Sequence, residues 1–142
     1  MVAPVMAAPG GLTAFLRIVD LGMIVYWSVS LAVVMGLASL PQDMMYSGYG
    51  TPLIDAWNWS FAPLDIAFAA TGLWSLTLLK KGDMRWRGWA IVSLTLTMCA
   101  GGMAIAFWAL QGSFDLAWWL PNLVLLFAPL AWLPRLVSGS GS

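Results

Sequence analysis

Four apolar stretches, Leu12 to Leu40, Trp57 to Leu79, Trp86 to Leu110 and Leu116 to Val137, occupy most of the chain. Each exceeds the ~20 residues that a helix needs to cross a bilayer. A helix in a soluble bundle carries a polar outer face at helical period, and these stretches lack one nearly all round. In hydrocarbon the backbone must satisfy its own hydrogen bonds within the segment, which leaves the α-helix as the conformation open to them. The sequence therefore predicts an all-α polytopic membrane protein. One domain over residues 1–137 is expected, a four-transmembrane-helix bundle with helices over about 12–40, 54–79, 86–111 and 115–136. The composition agrees: 61% of residues are hydrophobic and 8% charged, and the mean hydropathy is positive.

The ends add little to that bundle. Met1 to Gly11 has no basic region ahead of a short apolar core, so it does not read as a cleaved signal peptide, and the first helix is expected to direct insertion. The final Ser-Gly-Ser-Gly-Ser, residues 138–142, reads as an appended flexible linker outside the fold.

Basic residues are distributed with full asymmetry. Lys80, Lys81, Arg85 and Arg87 crowd the turn between the second and third stretches, Arg17 lies near the start of the first helix, and Arg135 lies near the end of the fourth. The other two connections hold Asp43, Asp55 and Asp115 and no basic residue. The positive-inside rule then predicts that both termini and loop 80–87 are cytoplasmic and that loops 41–54 and 111–115 lie outside. Such asymmetry argues against insertion in two opposite orientations. The outer loop from Pro41 to Pro52 carries Tyr46, Ser47, Gly48, Tyr49 and Gly50; it reads either as a cover for that end of the bundle or as an ordinary flexible connection.

Several chemistries are excluded by what the chain lacks. Histidine and glutamate are absent, which removes bis-His haem, the usual zinc ligand sets and His-based acid–base catalysis. Cys99 is the one cysteine, so neither an internal disulfide nor a Cys-x-x-Cys pair can form. No lysine lies inside an apolar stretch to form a Schiff base, and no basic surface suits nucleic acid. No cofactor and no metal are expected. Proton chemistry falls to aspartate.

Asp65 is the aspartate to weigh, because it lies inside an apolar run, and an ionisable residue there is a functional hypothesis by default. Asn58, Asp65 and Gly72 recur every seven residues, with Ala62 and Ala69 between them, and so share one helical face that is expected to point inward. Pro63 cannot donate to the carbonyl of Trp59, which predicts a kink one turn from Asp65. Asn122 follows Pro121 on the fourth helix and lies seven residues below Asp115, facing the same interior. On the third helix Ser93, Thr97, Ala100, Ala104 and Gln111 share a side whose small residues favour close packing over ligand contact. Arg17 and Asp20, one turn apart, read as a structural ion pair.

The ten tryptophans exceed what an interfacial belt needs. Trp74, Trp86, Trp89 and Trp132 fall near the cytoplasmic boundary, and Trp57, Trp59, Trp118 and Trp119 near the outer one, whereas Trp27 and Trp108 lie too deep for a belt. Asp55 and Asp115 each precede two tryptophans and a proline, a faint internal echo; helix capping explains both aspartates more simply. If the outer tryptophans turn inward, Asn58, Asp65, Asn122, Trp57, Trp59, Trp108, Trp118 and Trp119 line an aromatic pocket with a carboxylate at its base.

The run from Asp55 to Ile66, the run Ala104-Ile105-Ala106-Phe107-Trp108, Phe114-Asp115 and Trp118-Trp119-Leu120-Pro121-Asn122-Leu123 resemble the YvaD-like family of small four-helix bacterial membrane proteins. The resemblance covers about Ile18 to Leu130 and implies the fold and a bacterial plasma (inner) membrane, with no activity attached. A looser likeness to sterol-isomerase-like and sigma-2-receptor-like proteins rests on acids in an aromatic four-helix cavity. Those families usually add a glutamate that this chain lacks.

Three functions are open to such a chain. The leading expectation is binding or transport of a small lipophilic ligand, cationic or neutral, with proton and ligand cation competing for Asp65. The second is an intramembrane isomerase or cyclase using Asp65 as general acid, which needs a second acid–base group; Asp20 is the other buried candidate. The third is a non-catalytic assembly protein. Membrane lipids and a second copy of the chain are the expected partners, although no Gly-x-x-x-Gly seam is present and Gly101-Gly102 reads only as a contact point.

Overall fold

The computed structural model describes residues 7–139. Most of the segment tested for a signal peptide, residues 1–6, and the end of the expected linker, residues 140–142, lie outside the described residues. The chain forms helices α1 (Leu12–Val34), α2 (Pro52–Ser60), α3 (Ala62–Lys80), α4 (Trp86–Gln111), α5 (Leu116–Phe127) and α6 (Leu133–Ser138), with short 3-10 turns at Gln42–Met44 and Ala128–Ala131. Among the described residues four helical stretches are long and apolar enough to cross a membrane: Leu12–Val34, Pro52–Lys80, Trp86–Gln111 and Leu116–Ser138.

Three of the expected helices differ from the apolar runs that suggested them. The first stops at Val34 and not at residue 40, because Gly36 takes a left-handed φ of 71° that a side chain would disfavour. The N–H of Leu37 then reaches Ala32 O at 2.8 Å and that of Gly36 reaches Val33 O at 3.0 Å, which together close the helix end as a Schellman motif. Hydropathy alone does not register that stop. The second divides at Phe61, two residues ahead of Pro63, into α2 and α3, so the predicted kink is a break in the helix. The fourth keeps Pro121 inside α5 but gives way to the 3-10 turn carrying Pro129 before resuming as α6 with Pro134 near its start. The third, α4, has the expected bounds and ends at Gly112, which is again left-handed.

Packing follows the order of the chain. α3 lies between α1 and α4, α4 packs in turn against α5, and α6 folds back on α4. The Arg87 guanidinium donates to the carbonyl of Leu136 and fixes that return. One apolar cluster gathers Leu12, Leu16, Leu76, Trp86, Leu94 and Leu136 at the end of the bundle that carries the basic turn. A second gathers Trp27, Phe61, Phe68, Ala69, Ala100 and Ala104 toward the other end. Gly101 is the contact point between α4 and α5, where an added Cβ would lie 2.6 Å from the carbonyl of Asn122. No backbone packing joins α1 to α5 among the described residues. The space between them is where the cavities lie.

Trp86 departs from the expected belt. It is 2% exposed and belongs to the first cluster, because the turn after α3 tips the start of α4 inward over Leu76 and Leu78. Trp74 and Trp89 remain exposed, as a belt requires, and Trp132 is half-buried with its indole N–H on Gly10 O at 2.9 Å.

Candidate functional site

The heptad face of α2 and α3 turns inward: Asp65 and Gly72 are buried and Asn58 is half-buried. Asp65 stands in the first turn of α3, near the middle of the 29-residue stretch Pro52–Lys80, and is 7% exposed. The buried indole of Trp27 on α1 donates to its Oδ2 at 3.0 Å. Oδ1 accepts no hydrogen bond from the described residues, and unlike both oxygens of Asp20 it is not fully sealed. One oxygen is therefore anchored and the other is available.

A cavity of about 370 Å³ adjoins Asp65. Asn58, Asp65, Asn122, Trp57, Trp108 and Trp118 all line it, so six of the eight predicted pocket residues meet around one space. Tyr26 and Trp27 of α1, Phe61 at the helix break, Ala100 and Ala104 of α4 and Leu125 of α5 complete much of its wall. Tyr26 and Phe61 were missed in the sequence, whereas Trp27 stood out as too deep for a belt and Tyr46 as part of a possible cover, with neither assigned to the pocket. Only the small-residue side of α4 gave a hint of where a hollow would form.

The aromatic wall is tightly organised. Trp57 stacks on Phe107 with centroids 3.8 Å apart and a 16° interplanar angle, and meets Trp108 edge-on at 5.4 Å. The Asn58 Oδ1 accepts from the Tyr26 hydroxyl at 3.4 Å, and Asn122 donates to the carbonyl of Trp118 at 2.7 Å. Trp59 faces a neighbouring cavity and packs on Trp27 at 5.2 Å. Trp119 lines neither cavity, because its indole N–H is turned to Ser113 O at 2.9 Å and its ring lies on Phe114.

The loop between α1 and α2 covers this end of the bundle. Tyr46, 7% exposed, donates its hydroxyl to Asp55 Oδ1 at 2.6 Å, and the Gly50 N–H reaches the same oxygen at 3.1 Å. Burial and then the Asp55 hydrogen bond push the Tyr46 phenol above its usual range. Asp55 thus holds the loop and does not cap α2; its counterpart Asp115 does cap α5, accepting from the Ala117 N–H at 3.0 Å. The two halves of the apparent echo have different tasks.

The expected Arg17–Asp20 ion pair does not form. Arg17 is exposed, while Asp20 is 0% exposed and neither of its oxygens has a hydrogen-bond partner among the described residues. Arg17 turns outward although it is only one helical turn away, and Asp20 is directed onto Gly72 of α3 beside Ser93 of α4. Ser93 donates instead to Phe68 O at 2.9 Å, and Thr97 to Ser93 O at 2.8 Å, the packing roles expected of them. Asp20 does not line the cavity.

Comparison with known proteins assigns the chain by descent. The profile of a family of unknown function, DUF5360, matches residues 12–141, and the chain belongs to that family. It is 40% identical over 116 residues to the uncharacterized protein YvaD of Bacillus subtilis (strain 168), covering 82% of this chain and 84% of that protein. No solved structure matches the chain.

Proposed function

We propose that this family member is an integral protein of the bacterial plasma membrane that binds or transports a small lipophilic ligand, cationic or neutral, in an outward-facing aromatic pocket based on Asp65. Both termini and loop 80–87 are assigned to the cytoplasm, and loops 41–54 and 111–115 to the outside, on the charge asymmetry alone. One observation carries the reading: a carboxylate in the middle of an apolar span has one oxygen tied to Trp27, the other without a partner among the described residues, and beside it a cavity of about 370 Å³ walled largely by aromatic side chains. A packing role for Asp65 predicts an interior bond to Asn122 or Thr97 and no space beside it. Both of those residues are engaged elsewhere. The isomerase or cyclase reading needs a second acid–base group in the same space, and Asp20 lies outside it.

Proton and ligand cation compete for one carboxylate, so binding of a small aromatic amine such as phenethylamine to the full chain in lipid nanodiscs varies with pH. Asp65→Asn preserves shape and removes titration. The variant is expected to bind weakly and with a flat pH profile; a profile unchanged from the wild type refutes the assignment.

A further inference from the structure

We infer that the ligand is an amphiphile, with its polar head at Asp65 and its apolar chain in a second cavity beside the first; the inference rests on the binding reading above. This second cavity, about 300 Å³, lies between the last turns of α1 and the covering loop. Val29, Val33 and Val34 line it from the helix, and Leu40, Met44 and Met45 from the loop. No charged side chain lines it. Its hydroxyls are largely committed: Ser30 donates to Tyr26 O at 2.8 Å, Tyr26 to Asn58, and Tyr46 to Asp55. Such a wall suits methylene groups, and its two methionines can adapt to chains of different shape.

The two cavities are neighbours with a common partition. Tyr26, Tyr46, Asn58 and Trp118 line both. The partition is held by one long hydrogen bond, Tyr26 to Asn58 at 3.4 Å, and by edge contacts of Trp118 with Tyr26 and Tyr46 at 6.4 and 6.2 Å. Side-chain rotation is enough to join the two spaces. Each is at the small end of the range for ligand pockets, ~300 to 1,000 Å³, and joined they reach its middle. Val29, Val34, Leu40 and Met44 also remain exposed, so part of the second cavity's wall is apolar surface that the acyl chains of a surrounding bilayer can reach. A head group cannot enter by that route without a place to go. Asp65 is that place.

The test compares butylamine with dodecylamine on the full chain in lipid nanodiscs. Each amine partitions equally into discs holding wild type or variant, so a change in apparent Kd reports the protein. Val33→Trp fills the second cavity from α1, at a position that does not line the first. It is expected to weaken dodecylamine about tenfold and leave butylamine unchanged, whereas Asp65→Asn weakens both. Unchanged dodecylamine binding in Val33→Trp, with both amines lost in Asp65→Asn, overturns the tail site and leaves the head site standing. Amine binding indifferent to Asp65→Asn removes both. A second readout needs no plug: dodecylamine brominated at its terminal carbon should quench Trp59, measured as the Asp65-dependent quenching that disappears in Trp59→Phe. No such component means that the chain lies elsewhere.

Discussion

Replacing Gly72 with alanine tests the α1–α3 seam through its narrowest point. A Cβ there would lie 1.9 Å from Asp20 Oδ2, 2.8 Å from its Cγ and 2.7 Å from Ser93 Oγ, where ordinary contact begins at 3.4 Å. The carboxyl group has to retreat by about 1.5 Å, and at 0% exposure it has no space to do so without moving α1 off α3. Overpacking of this kind costs about 1–3 kcal/mol. Alanine regains about 1 kcal/mol of helix propensity over glycine, so a net loss of ~0–2 kcal/mol is expected. Asp20→Ala removes the closest obstacle and leaves Ser93 Oγ, so in that background Gly72→Ala should be clearly less destabilising than in the wild type. The cycle therefore predicts a coupling of ~1–3 kcal/mol between the two positions, the share of the overpacking that Asp20 causes. Reversible unfolding in mixed micelles, followed by helical circular dichroism, measures all four proteins. If Gly72→Ala changes stability equally in both backgrounds, the close approach of Asp20 to Gly72 is not what the geometry claims.

Two further outcomes concern groups outside the spans. Because the raised Tyr46 phenol favours its neutral form in the fold, its contribution is complete below 10.0, the ordinary value, and is lost as pH rises through the higher folded value. Alkaline titration should release the loop at Gly48 to protease, and Tyr46→Phe should be cut faster at neutral pH with no alkaline step; equal cutting of both proteins at neutral pH refutes the tether. At the basic turn, hydrogen bonds from the Arg85 side chain and backbone lower Asp83 from 3.8 to about 2. That contribution is present above 3.8 and is lost as pH falls through about 2. Arg85→Gln should return the Asp83 carboxyl titration, followed by carbon NMR, toward 3.8, with stability little changed because the pair is exposed.

What could be read from the residues divides by the range of the physics involved. Length and apolarity gave four helices, and the seven-residue spacing of Asn58, Asp65 and Gly72 gave the inward face, because both are properties of single helices. Pro63 gave the site of the break to within two residues. The end of α1 escaped because Gly36 stops a helix by backbone conformation while the surrounding residues stay apolar. Trp86 and Trp119 were misplaced for a different reason: the direction of a ring near a boundary is set by the turn beside it, here the tip of α4 and the carbonyl of Ser113. Asp20 was paired with Arg17 by sequence distance, but its neighbour across the interface is Gly72, which no local rule selects.

That interface also explains how α1 finds its register. On α1 Asp20 and Trp27 are seven residues apart, on α3 Asp65 and Gly72 are seven apart, and the antiparallel helices set Trp27 against Asp65 and Asp20 against Gly72. A large side chain with a donor meets an acid at one level, and an acid meets a glycine two turns away. Sliding α1 by one turn would carry Asp20 from the gap at Gly72 toward the side chains of Phe68 or Ser75 and would take the Trp27 donor from Asp65. Neither loss is compensated by generic apolar packing, which is nearly indifferent to register when lipid and side chain are equally apolar. The polar pair and the gap fix the seam together. They also set Asp65 beside the cavity, since the indole that positions α1 is the group that holds one of its oxygens. Binding at Asp65 and the alignment of α1 thus share a hydrogen bond, and a ligand that draws the carboxylate away from Trp27 loosens the seam that holds the first helix in place.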